Sequence, residues 1–170
     1  MAFRKTVQED IPQIMEIIRQ AQSYLKEQGI DQWQDGYPSR EIVLTDIDLS
    51  RSYSAVIDGE ICGTFVLVDD GEVTYDKIYD GHWITGDDSQ SYVAIHRVAI
   101  SVKNRGQGVS TPIINYAADY AKALGRSSLR IDTHEGNKVM RRMLEKHGFT
   151  YCGIIYLENG HSRVAYEKTL

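Results

Sequence analysis

An apolar run that enters a glycine-bearing turn and opens a helix, Val98-Ala99-Ile100-Ser101-Val102-Lys103-Asn104-Arg105-Gly106-Gln107-Gly108-Val109-Ser110, constrains this chain more than any other stretch. The helix is read from Ile113, Ile114, Ala117, Ala121 and Leu124, which recur at helical spacing and stop at Gly125, a residue suited to the left-handed position after a helix. The first N–H groups of such a helix have no intrahelical partner and lie at the positive end of its macrodipole, so the turn offers converging donors to a phosphate. Gly106 and Gly108 let the backbone take angles closed to other residues and come close to an anion, while Lys103 and Arg105 add positive charge at the rim.

Two other glycine turns fit poorly. The P-loop of nucleotide hydrolases needs Lys-Ser or Lys-Thr after its second glycine, and here Val109-Ser110 follow Gly108. The dinucleotide fingerprint needs a third glycine where Thr111 stands, with an acidic residue about twenty positions on. Asp132 is near that distance, so a dinucleotide site is disfavoured and stays open.

The pattern that does fit is Arg/Gln-x-x-Gly-x-Gly/Ala after a strand. With Arg105, Gly106 and Gly108 in place, and Ser110 as the last small residue, the chain resembles the GNAT superfamily of acyl-CoA-dependent N-acetyltransferases. A second segment supports the resemblance: Leu129-Arg130-Ile131-Asp132-Thr133-His134 as a strand, then Asn137 opening a helix that ends at Gly148-Phe149. The resemblance implies one α/β domain over residues 1–170, of the α+β type. Its central mixed, mostly antiparallel sheet has splayed fourth and fifth strands and is flanked by helices. It further implies acetyl-CoA as cosubstrate. The backbone of Val98-Ala99-Ile100 would face pantetheine, Arg105-Gly106-Gln107-Gly108-Val109-Ser110 would hold the pyrophosphate, and Asn137 would contact the pantetheine arm.

Composition agrees with one enzyme domain: 170 residues, 42% hydrophobic, can bury one good core. A net charge of −5 argues against a nucleic-acid or anionic-membrane surface. There is no run of eighteen apolar residues and no apolar leader after Met1, so the expected location is the cytoplasm. Cys62 and Cys152 form no Cys-x-x-Cys and read as reduced thiols near the core, and no metal is expected.

Along the chain, residues 3–6 read as a strand. A helix follows with Ile11, Ile14, Met15, Ile18, Ala21 and Leu25 on one face, and Gly29 ends it. A weaker helix is read at 39–49, and strands at 53–57 and 61–68 turn through Asp58-Gly59. Residues 69–90 have no clear period; a long strand covers 92–101, and strands at 151–157 and 163–168 close the chain.

Amine acetylation needs a base, because an ammonium must lose a proton before nitrogen attacks a thioester. His96 is two residues before Val98, and strand alternation puts both on one face; some GNAT amine acetylases carry a histidine here in a proton relay. A hydrogen-bonded core histidine is the competing reading. Asp132 and His134 alternate onto one face of the fifth strand as a second polar pair, or Asp132 forms a structural ion pair with Arg130. His96, Asp132 and His134 also make a two-histidine, one-carboxylate set, but their scattered spacing disfavours a metal. Many GNAT enzymes place a thiolate-protonating tyrosine where this chain has Leu144, which leaves Tyr151 as the substitute.

Trp33, Tyr37 and Trp83 are the acceptor candidates, through cation–π and apolar contact with a small-molecule amine. A loop-anchoring role competes with this. A homodimer, a non-catalytic acyl-CoA sensor and a nucleotide-dependent enzyme of another class stay open.

Overall fold

The computed structural model describes residues 1–170. Seven strands hydrogen-bond in the order β1-β2-β3-β4-β5-β7-β6, and helices flank the sheet. The chain divides into two compact units: Met1–Leu67 with Arg97–Ile113, and Val68–His96 with Ile114–Leu170. Strand β4 (Tyr92–Ile100) passes from one unit to the other after His96.

In the first unit, α1 (Ile11–Glu27) carries Pro12 in its first turn, where no intrahelical N–H is lost. Its apolar residues at helical spacing, Ile11, Ile14, Ile17 and Ile18, pack with Val43, Ile61 and Ala99 in one buried cluster. Helix α2 (Arg40–Asp48) starts where Ser39 Oγ accepts from the Ile42 amide at 3.4 Å. Strands β1 (Ala2–Lys5), β2 (Ser52–Ile57) and β3 (Glu60–Val68) are antiparallel, and Asp58 (φ 52°) and Gly59 (φ 82°) form a turn with both central residues left-handed, the two-residue hairpin type.

In the second unit, β5 (Ser128–Thr133) lies between β4 and β7 (Ser162–Thr169), and β6 (Thr150–Tyr156) closes the edge. The parallel β4–β5 ladder covers only Tyr92↔Ser128, Val93↔Leu129 and Ala94↔Arg130. Strand β5 goes on pairing with β7 as far as Thr133↔Val164, so the splay expected of the fourth and fifth strands is present. The aperiodic stretch 69–90 is ordered by long-range contacts. It holds a 3-10 turn at Val73–Tyr75, and Tyr79 and Ile154 exchange backbone hydrogen bonds of 2.8 Å.

A charge pair sits at the centre of this unit. Arg130 is 1% exposed and Glu167 fully buried, with Arg130 Nε donating to Glu167 Oε1 at 3.0 Å. The guanidinium lies 4.2 Å from the Trp83 ring centre and 4.1 Å from that of Tyr92. Glu167 also accepts from Ser128 and Thr85 hydroxyls and the Ile84 amide, so its lone pairs are filled. Arg130 therefore pairs with Glu167 and not with Asp132, because the Arg130 side chain points into a core that Glu167 shares from the neighbouring strand.

Candidate active site

The glycine turn belongs to the first unit. After β4 a 3-10 turn runs over Val102–Asn104, closed by Ser101 Oγ on Asn104 Oδ1 at 2.6 Å, and the Val102 amide donates to Gln20 Oε1 at 2.9 Å. Gly106 (φ 74°) and Gly108 (φ 77°) are both left-handed, and a Cβ on either would meet no atom within 4 Å. Dihedral angle, not crowding, demands glycine here, and the space a Cβ would fill is open to a ligand. Val109 is 2% exposed and anchors the turn just before α3 (Ser110–Ala123) begins.

Arg105 lies 4.8 Å over the Tyr24 ring, with Nε 3.4 Å from the Ile100 carbonyl, and Gln107 Nε2 donates to the Lys103 carbonyl at 2.8 Å. Lys103, expected as loose charge at the rim, pairs instead with Glu60 at 2.7 Å; both are well exposed, and such a pair holds weakly.

The polar cluster belongs to the second unit. His96 Nε2 is 2.8 Å from Glu72 Oε2, with side-chain exposures of 15% and 23%, a close contact without the line of an aligned hydrogen bond. Glu72 Oε1 accepts from the amide and hydroxyl of Thr74, and its own amide donates to Tyr92 Oη at 2.9 Å. Burial pushes the Glu72 carboxyl up, but His96 and Thr74 outweigh it and hold it at about 2. Glu72, in the aperiodic stretch, has no local signal in the sequence.

Because the Glu72 carboxyl falls from its ordinary 4.5 to about 2 on folding, it adds stability above pH 4.5 that is lost as pH drops towards 2. Glu72→Gln should remove that part of the acid slope; urea unfolding of both proteins across this window checks it, and parallel curves would refute the pairing.

Asp132 accepts from Tyr75 Oη at 2.6 Å, and the Tyr75 ring is centred 5.8 Å from that of His96. Burial, then the Asp132 carboxylate, raise the Tyr75 hydroxyl well above its ordinary range, so it stays protonated and committed to Asp132. His134 Nδ1 accepts from the Gly136 amide at 3.0 Å, and the Tyr75 hydroxyl at 2.6 Å gives the Asp132 carboxylate a tyrosine neighbour that strand alternation did not suggest. His96, Asp132 and His134 are not gathered as metal ligands.

Asn137 opens α4 (Lys138–Lys146), with Oδ1 accepting from the Met140 amide at 3.2 Å. Leu144 is fully buried, and Tyr151, 45% exposed, sets its ring edge-to-face on Tyr166 at 5.9 Å.

Two expectations are corrected by local geometry. Arg97 is left-handed (φ 51°) inside β4, which breaks two-residue alternation, so His96 and Val98 do not share a face by strand period. Trp83, expected beside the acceptor, is 3% exposed, donates Nε1–H to the Tyr75 carbonyl at 2.9 Å and lies against Arg130. The aromatic ring is used for packing. Trp33 and Tyr37 stay together in the first unit, ring centres 6.5 Å apart, and Tyr37 Oη accepts from Arg97 at 2.6 Å.

The model of the acetyltransferase (GNAT) family matches residues 12–149. A crystal structure of a GNAT-family acetyltransferase from Streptococcus agalactiae 2603 is 34% identical, with a TM-score of 0.88 over 99% of this chain and 95% of its own. The Salmonella typhimurium protein yncA, solved with its cofactor acetyl-CoA, is similar in fold: 16% identical, TM-score 0.69, over 100% of this chain and 94% of that one. The uncharacterized N-acetyltransferase MJ1207 of Methanocaldococcus jannaschii is 29% identical over 87 residues, which is 51% of this chain and 38% of that protein. The match thus spans less than two-fifths of that relative's length. No helix is long and apolar enough to cross a membrane.

Proposed function

Because the chain belongs to the GNAT acetyltransferase family, we propose that residues 1–170 act as one catalytic domain that transfers the acetyl group of acetyl-CoA to the nitrogen of a small-molecule primary amine. The observation that carries this is the turn from Arg105 to Ser110, with two left-handed glycines open on the Cβ side and leading into α3.

In this reading the pyrophosphate meets the backbone of residues 105–110, and Arg105 supplies charge. The β4 backbone at Val98 and Ile100, past the last β4–β5 pair at Ala94, offers its polar groups to the pantetheine arm, with Asn137 as a further contact. His96 is the base. With Nε2 2.8 Å from the Glu72 carboxylate, the imidazole in its neutral form takes a proton from the substrate ammonium. Bound acetyl-CoA supplies a thioester whose C–S bond breaks as the C–N bond forms, the sulfur leaving with the second proton of the nitrogen. Leu144 offers no hydroxyl and that of Tyr75 is committed to Asp132, so the acid is assigned to Tyr151, half-exposed on β6. Trp33 and Tyr37 are the acceptor contacts.

The cradle has a direct test. Valine at position 108 is strained at φ 77° and puts bulk where the anion should lie. Gly108→Val should weaken coenzyme A binding about tenfold or more, on the order of 1.4 kcal/mol. Calorimetry with coenzyme A, NAD and ATP on both proteins decides: the proposal expects binding of coenzyme A alone and its loss in the variant. Preference for NAD or ATP, or unchanged affinity in a folded variant, would remove the assignment.

A further inference from the structure

An arginine in the middle of a strand with a left-handed backbone is an unfavourable arrangement unless its surroundings over-determine it. Arg97 is such a residue, with φ 51° inside β4. Three hydrogen bonds hold it in place. Its Nε donates to Asp46 Oδ2 at 2.7 Å and Nη2 to Asp46 Oδ1 at 2.6 Å, a two-pronged contact, and Nη1 donates to Tyr37 Oη at 2.6 Å.

Asp46 is on α2 and only 5% exposed, and an aspartate there needs a cation for its burial to be tolerable. Tyr37 comes from the segment between α1 and α2. That segment is also held from α1, where Gln22 Nε2 donates to the Tyr37 carbonyl at 2.9 Å, and Trp33 sets its ring against that of Tyr37. One guanidinium therefore joins three pieces of the first unit: α2, the Trp33–Tyr37 segment and β4.

We infer that Asp46 and Arg97 are positioning residues for acceptor selection. Their fork fixes the left-handed step of β4 immediately after His96, and fixes the Tyr37 hydroxyl and the segment that carries it. The inference rests on the proposed function only in taking Tyr37 and Trp33 as acceptor contacts. Neither Asp46 nor Arg97 touches the acceptor. Geometry delivers their effect: the planar guanidinium matches the carboxylate with two parallel N–H bonds and reaches the hydroxyl with a third, which a lysine ammonium cannot reproduce.

Arg97→Lys is the sharpest variant, because it keeps the charge beside Asp46 and removes the fork. Tyr37→Phe removes one bond and keeps the ring, and it guards against a misfolded lysine variant. Two readouts are taken on the intact chain. Backbone hydrogen exchange, which needs no turnover, should accelerate about tenfold or more at the amides of residues 33–37 and 39 in both variants, while α3 is unchanged. In steady-state assays with acetyl-CoA and the best amine found for the wild type, KM for the amine should rise about 10- to 100-fold in Arg97→Lys, with calorimetric affinity for acetyl-CoA unchanged.

A purely structural ion pair would raise exchange throughout the first unit, α1 included, and leave the KM of folded protein alone. That pattern overturns the inference, and so does unchanged exchange at residues 33–37 and 39. If the wild type acetylates no amine, the proposed function fails instead, and the exchange data still decide whether the fork holds the segment.

Discussion

His96→Ala should turn over an amine about 10²-fold or more slowly per folded molecule than the wild type, with affinity for acetyl-CoA unchanged. The two effects should separate because the proposed cofactor turn would act through backbone at residues 105–110, and the proposed base through its ring. Some stability goes as well, since the truncation leaves the Glu72 carboxylate, 23% exposed, without the imidazole at 2.8 Å. That loss, about 1–3 kcal/mol, would be the whole effect of a histidine that only packs. The pH–rate profile tells the two apart: loss of the base removes or displaces the rising limb, and a packing defect lowers the curve without moving it. A folded variant with near-normal turnover and an unmoved limb would assign catalysis elsewhere.

The second large effect is on stability. Glu167→Ala leaves the Arg130 guanidinium, 1% exposed and held between two aromatic rings, as an unpaired buried cation. Removing one partner of a buried pair costs about 3–5 kcal/mol, a large share of the roughly 5–15 kcal/mol that holds a domain together. At about 2–4 °C per kcal/mol for a chain of this size, the midpoint of thermal unfolding should fall by roughly 6–20 °C. Replacing both groups, Arg130→Met with Glu167→Leu, should recover much of the loss, because an apolar pair leaves no buried charge unmatched. Thermal unfolding of the single and double variants decides; a double variant no better than the single one would show that the filled hydrogen bonds of Ser128 and Thr85, and not the charge, set the cost.

What could be read from the amino-acid order was local. Gly106 and Gly108 announce their turn because left-handed angles favour glycine, and Asp58-Gly59 announces the β2–β3 hairpin for the same reason. The apolar spacing of α1 and the serine that caps α2 place both helices within a residue or two. What could not be read was long-range.

Glu72 sits in a stretch without period, and nothing in its neighbours ties it to a histidine 24 positions on. Arg97 gives no warning of a left-handed angle, because an arginine is not a turn-former; its carboxylate and hydroxyl partners come from residues 51 and 60 positions away. Trp83 misleads because an aromatic ring in an irregular stretch looks available for a ligand, and its occupation by a buried guanidinium depends on the β5–β7 register. The clue in that case was an arginine between Leu129 and Ile131, an apolar strand position that demands a counter-charge.

Release of coenzyme A thiol from acetyl-CoA in proportion to an added amine is the most direct test of acetyl transfer by this chain. A panel of small primary amines, incubated with the chain and acetyl-CoA and followed by a thiol reagent with mass detection of the product, should give at least one amine whose N-acetyl form accumulates one-for-one with free thiol, and neither should form in the absence of that amine. Tight binding of acetyl-CoA with no amine-dependent thiol release across the panel would contradict the account and leave the chain a binding module.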